Sequence, residues 1–226
     1  MHIFKESKKE YRSLGRLVIG IAGTHEGVGV THLGLMLTSC ISEGIGLSTA
    51  FLHWPDSRDI CLLRNHFFSE DEGISGNKNI PGKEGICRSG HLFNSEQREE
   101  FTVSKASFYP GVGKERMAEI LAKGYDCIVM DFGNAFKEHR EEFLRCDKKI
   151  VVGSLTPWKR YCLEDFIAES EMITGSSDWI YAINFAAERE VAVAARSLNR
   201  RVLPVPYERD PFFLSPGAMN FTKNII

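Results

Sequence analysis

Residues 17–22, Leu-Val-Ile-Gly-Ile-Ala, carry no polar side chain, the pattern of a strand covered on both faces. The period then changes. Leu33, Leu37, Cys40 and Ile41 fall at i, i+4, i+7 and i+8, which predicts one buried stripe of a helix that begins near Thr31 and ends before Gly44. Residues 47–54 predict a second strand, and Ile60, Leu63 and Phe67 line one side of a helix over 56–68. Residues 69–100 lose both periods and are rich in Gly, Pro, Ser and charge, so they read as a long polar surface insertion.

Beyond the insertion the two periods alternate again. A strand-like stretch over 101–109 is followed by a helix containing Met117 and Leu121, and then by a buried strand over 125–131. Two further strands are expected at 149–153 and 179–184, with a helix through Tyr161 and Ile167 between them. A last helix over 188–198 and a final short strand over 201–206 complete the series. Strands alternating with helices, several strands apolar throughout, predict an α/β fold: a doubly wound, mostly parallel sheet with helices on both faces. At about 150 residues per domain, the length of 226 is read as one domain, 1–226, carrying the insertion near 69–100.

Composition narrows the partners. A 43% hydrophobic share is enough for a sizeable core and excludes disorder as the main state. Lys and Arg number 28 against 30 Asp and Glu, a net charge of −2, so no global positive field marks nucleic acid or an anionic membrane as a partner. Cys40, Cys61, Cys87, Cys127, Cys146 and Cys162 form no Cys-x-x-Cys pair and are read as reduced, mostly core thiols. The first ten residues are charged and lack the apolar stretch of a secretory signal, and no later run approaches the roughly 18 apolar residues of a membrane span. These features predict a soluble cytoplasmic protein.

The candidate chemistry lies in Gly23-Thr-His-Glu-Gly27-Val-Gly29-Val-Thr31-His32, between the first strand and the first helix. Glycines in this position let backbone N–H groups close around a phosphate, and the helix N-terminus adds partial positive charge. Thr24, His25, Glu26, Gly27, Val28, Gly29, Val30, Thr31 and His32 are therefore the candidate nucleotide-binding residues. A loop that also neutralises a triphosphate carries Lys immediately before its Ser/Thr, and that position is Val30 here. Thr31 is placed either to cap the helix or to present a hydroxyl to magnesium.

This segment resembles the deviant Walker A motif of the ParA/MinD partitioning ATPases, Lys-Gly-Gly-x-Gly-Lys-Thr-Thr. Aligned on Gly27-Val28-Gly29, His25 takes the place of the signature lysine, Glu26 replaces a glycine, Val30 replaces the second lysine and Thr31 keeps the hydroxyl. Cys127-Ile-Val-Met-Asp131-Phe-Gly133 resembles the Walker B strand, Val151-Val-Gly-Ser-Leu-Thr-Pro157 the next strand and its loop, and Pro204-Val-Pro206-Tyr207 the late strand-Pro loop. Asn184 resembles the strand-end Asn that contacts adenine, so the likeness spans about residues 17 to 210.

The resemblance implies ATP or ADP with Mg²⁺ as cofactor, Thr31 and Asp131 as metal residues, and a protein partner or homodimer. Asp131 reads equally as a strand-end carboxylate capping the next turn. With both lysines absent and Glu26 beside the phosphates, binding is expected to be weak and hydrolysis at background, since only Asp56 is available as a water-positioning acid. The expected function is a non-catalytic or weakly nucleotide-binding switch or assembly factor of a partitioning, division, pilus or secretion system. Two alternatives stay open. Gly23-x-x-x-Gly27-x-Gly29 also has the glycine spacing of nicotinamide-dinucleotide (Rossmann) proteins, although no Tyr is followed by Lys at the fourth position, and a ligand-free interaction scaffold needs no loop chemistry.

Overall fold

The computed structural model describes residues 16–55, 59–69 and 100–226. Eight strands form one sheet: β1 (Leu17–Gly23), β2 (Thr49–His53), β3 (Phe101–Val103), β4 (Ala106–Tyr109), β5 (Cys127–Asp131), β6 (Lys148–Gly153), β7 (Ile180–Ile183) and β8 (Arg201–Pro204). Their order across the sheet is β3-β4-β2-β5-β1-β6-β7-β8. Every pairing is parallel except β3 with β4. The α/β, mostly parallel architecture expected from the alternation is therefore present. β1 lies between β5 and β6, with β2 one strand away, whereas the dinucleotide-binding order places the first two strands side by side.

Helices α1 (Val30–Ser39), α2 (Asp59–Ser69), α3 (Lys114–Ala122), α4 (Arg140–Leu144), α5 (Arg160–Ser170), α6 (Glu188–Leu198) and α7 (Pro216–Ile225) connect and follow the strands. Among the described residues none is long and apolar enough to cross a membrane. The two-residue alternation of the central strands divides the core into two layers. Ile19, Ile21, Cys127 and Val129 face the layer with α1 and α7, while Ala22, Ile128 and Met130 face an aromatic layer built on Phe132, Phe143, Phe166 and Trp179.

Four expectations need correction. The first helix does not stop before Gly44 but continues as a π-helical turn, Cys40–Ile45, closed by Gly46 with φ 92. Gly44 packs beside α7 there, next to the Met219 side chain. The stretch 101–109 is a hairpin of two strands, turned at Ser104 with φ 53, and not one strand. The short α4 was not anticipated, and α6 is not the last helix: α7 follows, with the Ser215 hydroxyl accepting from the Ala218 amide at 3.0 Å and Pro216 in its first turn. The helix expected over 56–68 is α2, residues 56–58 lying outside the described residues together with 70–99 of the polar insertion.

Helix α1 packs closely on the sheet at Gly34, where a methyl group would lie 2.7 Å from Cε2 of the fully buried Phe51. Gly34→Ala should therefore destabilise the fold by roughly 1–3 kcal/mol, despite the helix propensity gained, in urea unfolding followed by circular dichroism.

Candidate functional site

Because β1, β2 and β5 run parallel, their carboxyl ends meet at one edge of the sheet. Asp131, the last residue of β5, pairs in register with Ile21 of β1 and His53 of β2 and has no exposed surface. Its Oδ2 accepts a 2.7 Å hydrogen bond from Thr31 Oγ1, and its Oδ1 accepts one of 2.8 Å from the Gly133 amide. His53 Nε2 lies 3.7 Å from Oδ2. Burial raises the Asp131 pKa above its ordinary value, opposed by His53, Thr31 and the Gly133 amide. Burial lowers that of His53, opposed by the charge of Asp131. Both directions favour the neutral forms.

The loop between β1 and α1 rests on this cluster. Its base is sewn to neighbouring strands, with the Gly23 amide donating to Gly133 O at 2.7 Å and the Thr24 amide to Val152 O at 3.0 Å. Gly29 is the helix N-cap, in the left-handed region with φ 96, so the cap is this glycine and not Thr31. Gly27 and Gly29 lie in the left-handed region, φ 72 and 96, the conformation that alternate residues of an anion nest use. A second strap closes from the opposite side. Asn184 Nδ2 donates to Val28 O, and a side chain at Gly29 would lie 2.7 Å from that nitrogen.

The side chains oppose what the backbone offers. Val30 is 6% exposed and its Cγ2 lies 2.7 Å from where a Gly23 methyl would sit, so the lysine position faces the core. Glu26 is exposed at the loop tip, and His25 Nδ1 donates to Glu26 O at 2.8 Å. Thr24 Oγ1 and His25 Nε2 are shielded from solvent without a hydrogen-bond partner among the described residues. Thr24 borders a cleft of about 290 Å³ between the turn at Asn134 and the Tyr161 side of α5. His32 is half-buried in the first turn of α1.

The structure thus brings together residues 24–32, Asp131 and Asn184, while Asp56 lies outside the described residues. Among the described residues no group of three His, Cys, Asp or Glu side chains is placed to hold a metal. Sequence reasoning named Gly133 only within the Walker B likeness and did not single out His53 as part of the site. His53 was within reach, since the last residue of the second strand of a parallel sheet ends at the same edge as the glycine loop.

No family model and no curated protein matches the chain. Solved structures do. A plasmid partition protein from Borrelia burgdorferi bound to AMPPNP superposes with a TM-score of 0.61 at 15% identity, covering 94% of this chain and 97% of that one. MinD of the MinC:MinD cell division complex of Aquifex aeolicus gives 0.62 at 15% identity, covering 92% and 94%. Cobyrinic acid a,c-diamide synthase from Mycobacterium smegmatis with bound ADP and magnesium gives 0.52 at 14%, covering 92% of each chain. The fold is that of the ParA/MinD-type P-loop ATPases, as the order of motifs along the chain implied.

Two outcomes follow from the buried cluster. Asp131→Asn keeps an acceptor for Gly133 and supplies a donor to Thr31, so its melting temperature should stay within a few degrees of wild type, whereas Asp131→Leu, which orphans both partners, should lose roughly 1–3 kcal/mol. His53, with a folded pKa below its ordinary 6.5, contributes stability that is full above that value and is lost as pH falls through the depressed one. Chemical denaturation between pH 7.5 and 5 should accordingly show a shallower acid loss for His53→Gln than for wild type.

Proposed function

We propose that this chain is a non-catalytic or weakly nucleotide-binding member of the ParA/MinD-like P-loop group, acting as a switch or assembly factor rather than as a working ATPase. One observation carries the reading: the lysine position before Thr31 is Val30, buried against Gly23, while the exposed charge at the loop tip is the carboxylate of Glu26. The residues present fit the shape of a phosphate and not its charge. Backbone dipoles remain, but neither lysine position of the motif carries a lysine, His25 and Val30 standing there, and Glu26 opposes a triphosphate. The Thr31 hydroxyl and Asp131 carboxylate are engaged with each other, so a hydrated magnesium would have to displace that bond. Residues 24–32 remain the candidate phosphate loop, and Asn184 serves as its strap.

A partitioning or division role is supported by the relatives in fold, one a plasmid partition protein and one a MinD in complex with MinC. Protein partners or a homodimer belong to the same reading. A ligand-free scaffold is the second reading, favoured by the Asn184–Val28 bond, which holds the loop closed upon the protein itself.

Calorimetry with ATP and ADP, each with and without Mg²⁺, tests this. Wild type should show no submicromolar Mg-ATP binding, and phosphate release should equal that of a Thr31→Ala, Asp131→Ala control. Submicromolar affinity or turnover above the control would overturn the proposal. In Val30→Lys, Glu26→Gly the lysine stem can cover Gly23 while its ammonium reaches the loop mouth. The double variant should gain about one to two orders of magnitude in Mg-ATP affinity, roughly 1.4–2.8 kcal/mol. A folded double variant that binds no nucleotide would favour the scaffold.

A further inference from the structure

The far edge of the sheet carries a groove separate from the loop. The Val205 amide donates to Ile183 O of β7 at 2.9 Å, so by strand alternation the odd-numbered residues of β8 bond to β7 and the even-numbered ones face outward. Those outward positions are Val202, Pro204 and, just beyond the strand, Pro206. The two prolines have no N–H. The edge therefore offers a row of carbonyl acceptors and a single amide donor, at Val202, which is a poor template for another copy of itself.

Helix α7 supplies donors on the other side. A cavity of about 540 Å³ lies between α6 and α7 with β8 as its floor, and Asn220 and Asn224 line it from one face of α7. Neither side chain makes a hydrogen bond among the described residues, and both are exposed. Four helical residues rise about 6 Å, close to the roughly 6.6 Å between alternate residues of an extended chain. Two side-chain amides at that spacing match successive outward carbonyls of an extended segment lying in the groove. Val202 and Phe221, 8% and 6% exposed, give the floor an apolar surface. Glu188 is the charged side chain in the lining, and it has no ion pair among the described residues.

We propose that this groove binds an extended segment of a partner protein. The segment donates its amides to the β8 carbonyls, receives Asn220 and Asn224 on its own carbonyls, places alternate apolar side chains on the floor and carries a Lys or Arg beside Glu188.

A displayed library of random nonapeptides selected against the full chain tests the assignment, with binding of the synthesised winners measured by fluorescence anisotropy. The selected peptides should share alternating apolar positions and one basic residue near an end. Asn220→Leu, Asn224→Leu together should weaken them about tenfold, the loss of one or two hydrogen bonds. Ala192→Trp, an exposed position on the α6 rim, should abolish binding, and Glu188→Lys should exchange the preferred basic residue for an acidic one. Each variant should melt with wild type, being on the surface. Failure to select any consensus, or winners that bind Ala192→Trp or Glu188→Lys as they bind wild type, would overturn the proposal.

Discussion

Asp131 stands at the end of β5 with no contact to water, where an ionised carboxylate without partners would cost several kcal/mol, and two donors and a nearby imidazole from separate segments converge on it. Thr31 brings the first turn of α1, Gly133 the turn after β5, and His53 the end of β2. Satisfying this one group therefore fixes the position of α1 over the sheet. It also sets the shape of the following turn, because Gly133, with φ 56, accepts the Gly23 amide on its carbonyl while giving its own amide to Asp131. The glycine loop starts from that Gly23 and ends on the helix that Thr31 anchors. Its curvature follows from the buried carboxylate at its foot.

Shape and charge are specified separately in such a loop. The nest depends on backbone conformation, and Gly27 and Gly29 preserve it at left-handed φ values few other residues tolerate. Neutralisation depends on side chains, and here Val30 points into the core while Glu26 adds negative charge at the tip. Loop shape and loop charge can therefore vary independently within one fold. What then keeps the loop ordered is internal: the Thr24 amide on Val152 O, the Asn184 amide on Val28 O, and burial of Val28 and Val30.

The parts legible in the sequence were those written in local periodicity. Runs such as 127–131, apolar until the closing Asp, read as central strands, and the change of period after Gly23 placed the loop between strand and helix. Helix α7 was harder to see because its buried face, Ala218, Phe221, Thr222 and Ile225, has the right spacing but contains only two large apolar residues. The hairpin at Ser104 turns without glycine, and the π-helical turn passes through Gly44 where α7 packs, so neither departs from the expected pattern with a local signal. At the site, the glycines, Thr31 and Asp131 were found by type and order. The Asn184–Val28 strap and the place of His53 required the strand order, since contacts across 156 and 78 residues leave no trace in spacing.

The sheet ends differently on its two sides. At one edge β3 is only three residues long and antiparallel to its neighbour, a short rim with little to offer another strand. At the other, β8 is parallel and flanked by two helices, and proline removes every outward donor but that of Val202 without removing the acceptors. That asymmetry makes the β8 edge selective rather than inert, because only a segment that donates to the carbonyls and also meets donors across the groove is satisfied on both sides. The groove and the glycine loop are joined by consecutive residues of one chain segment: Ile183 accepts from Val205 of the β8 edge, and Asn184 reaches Val28 of the loop.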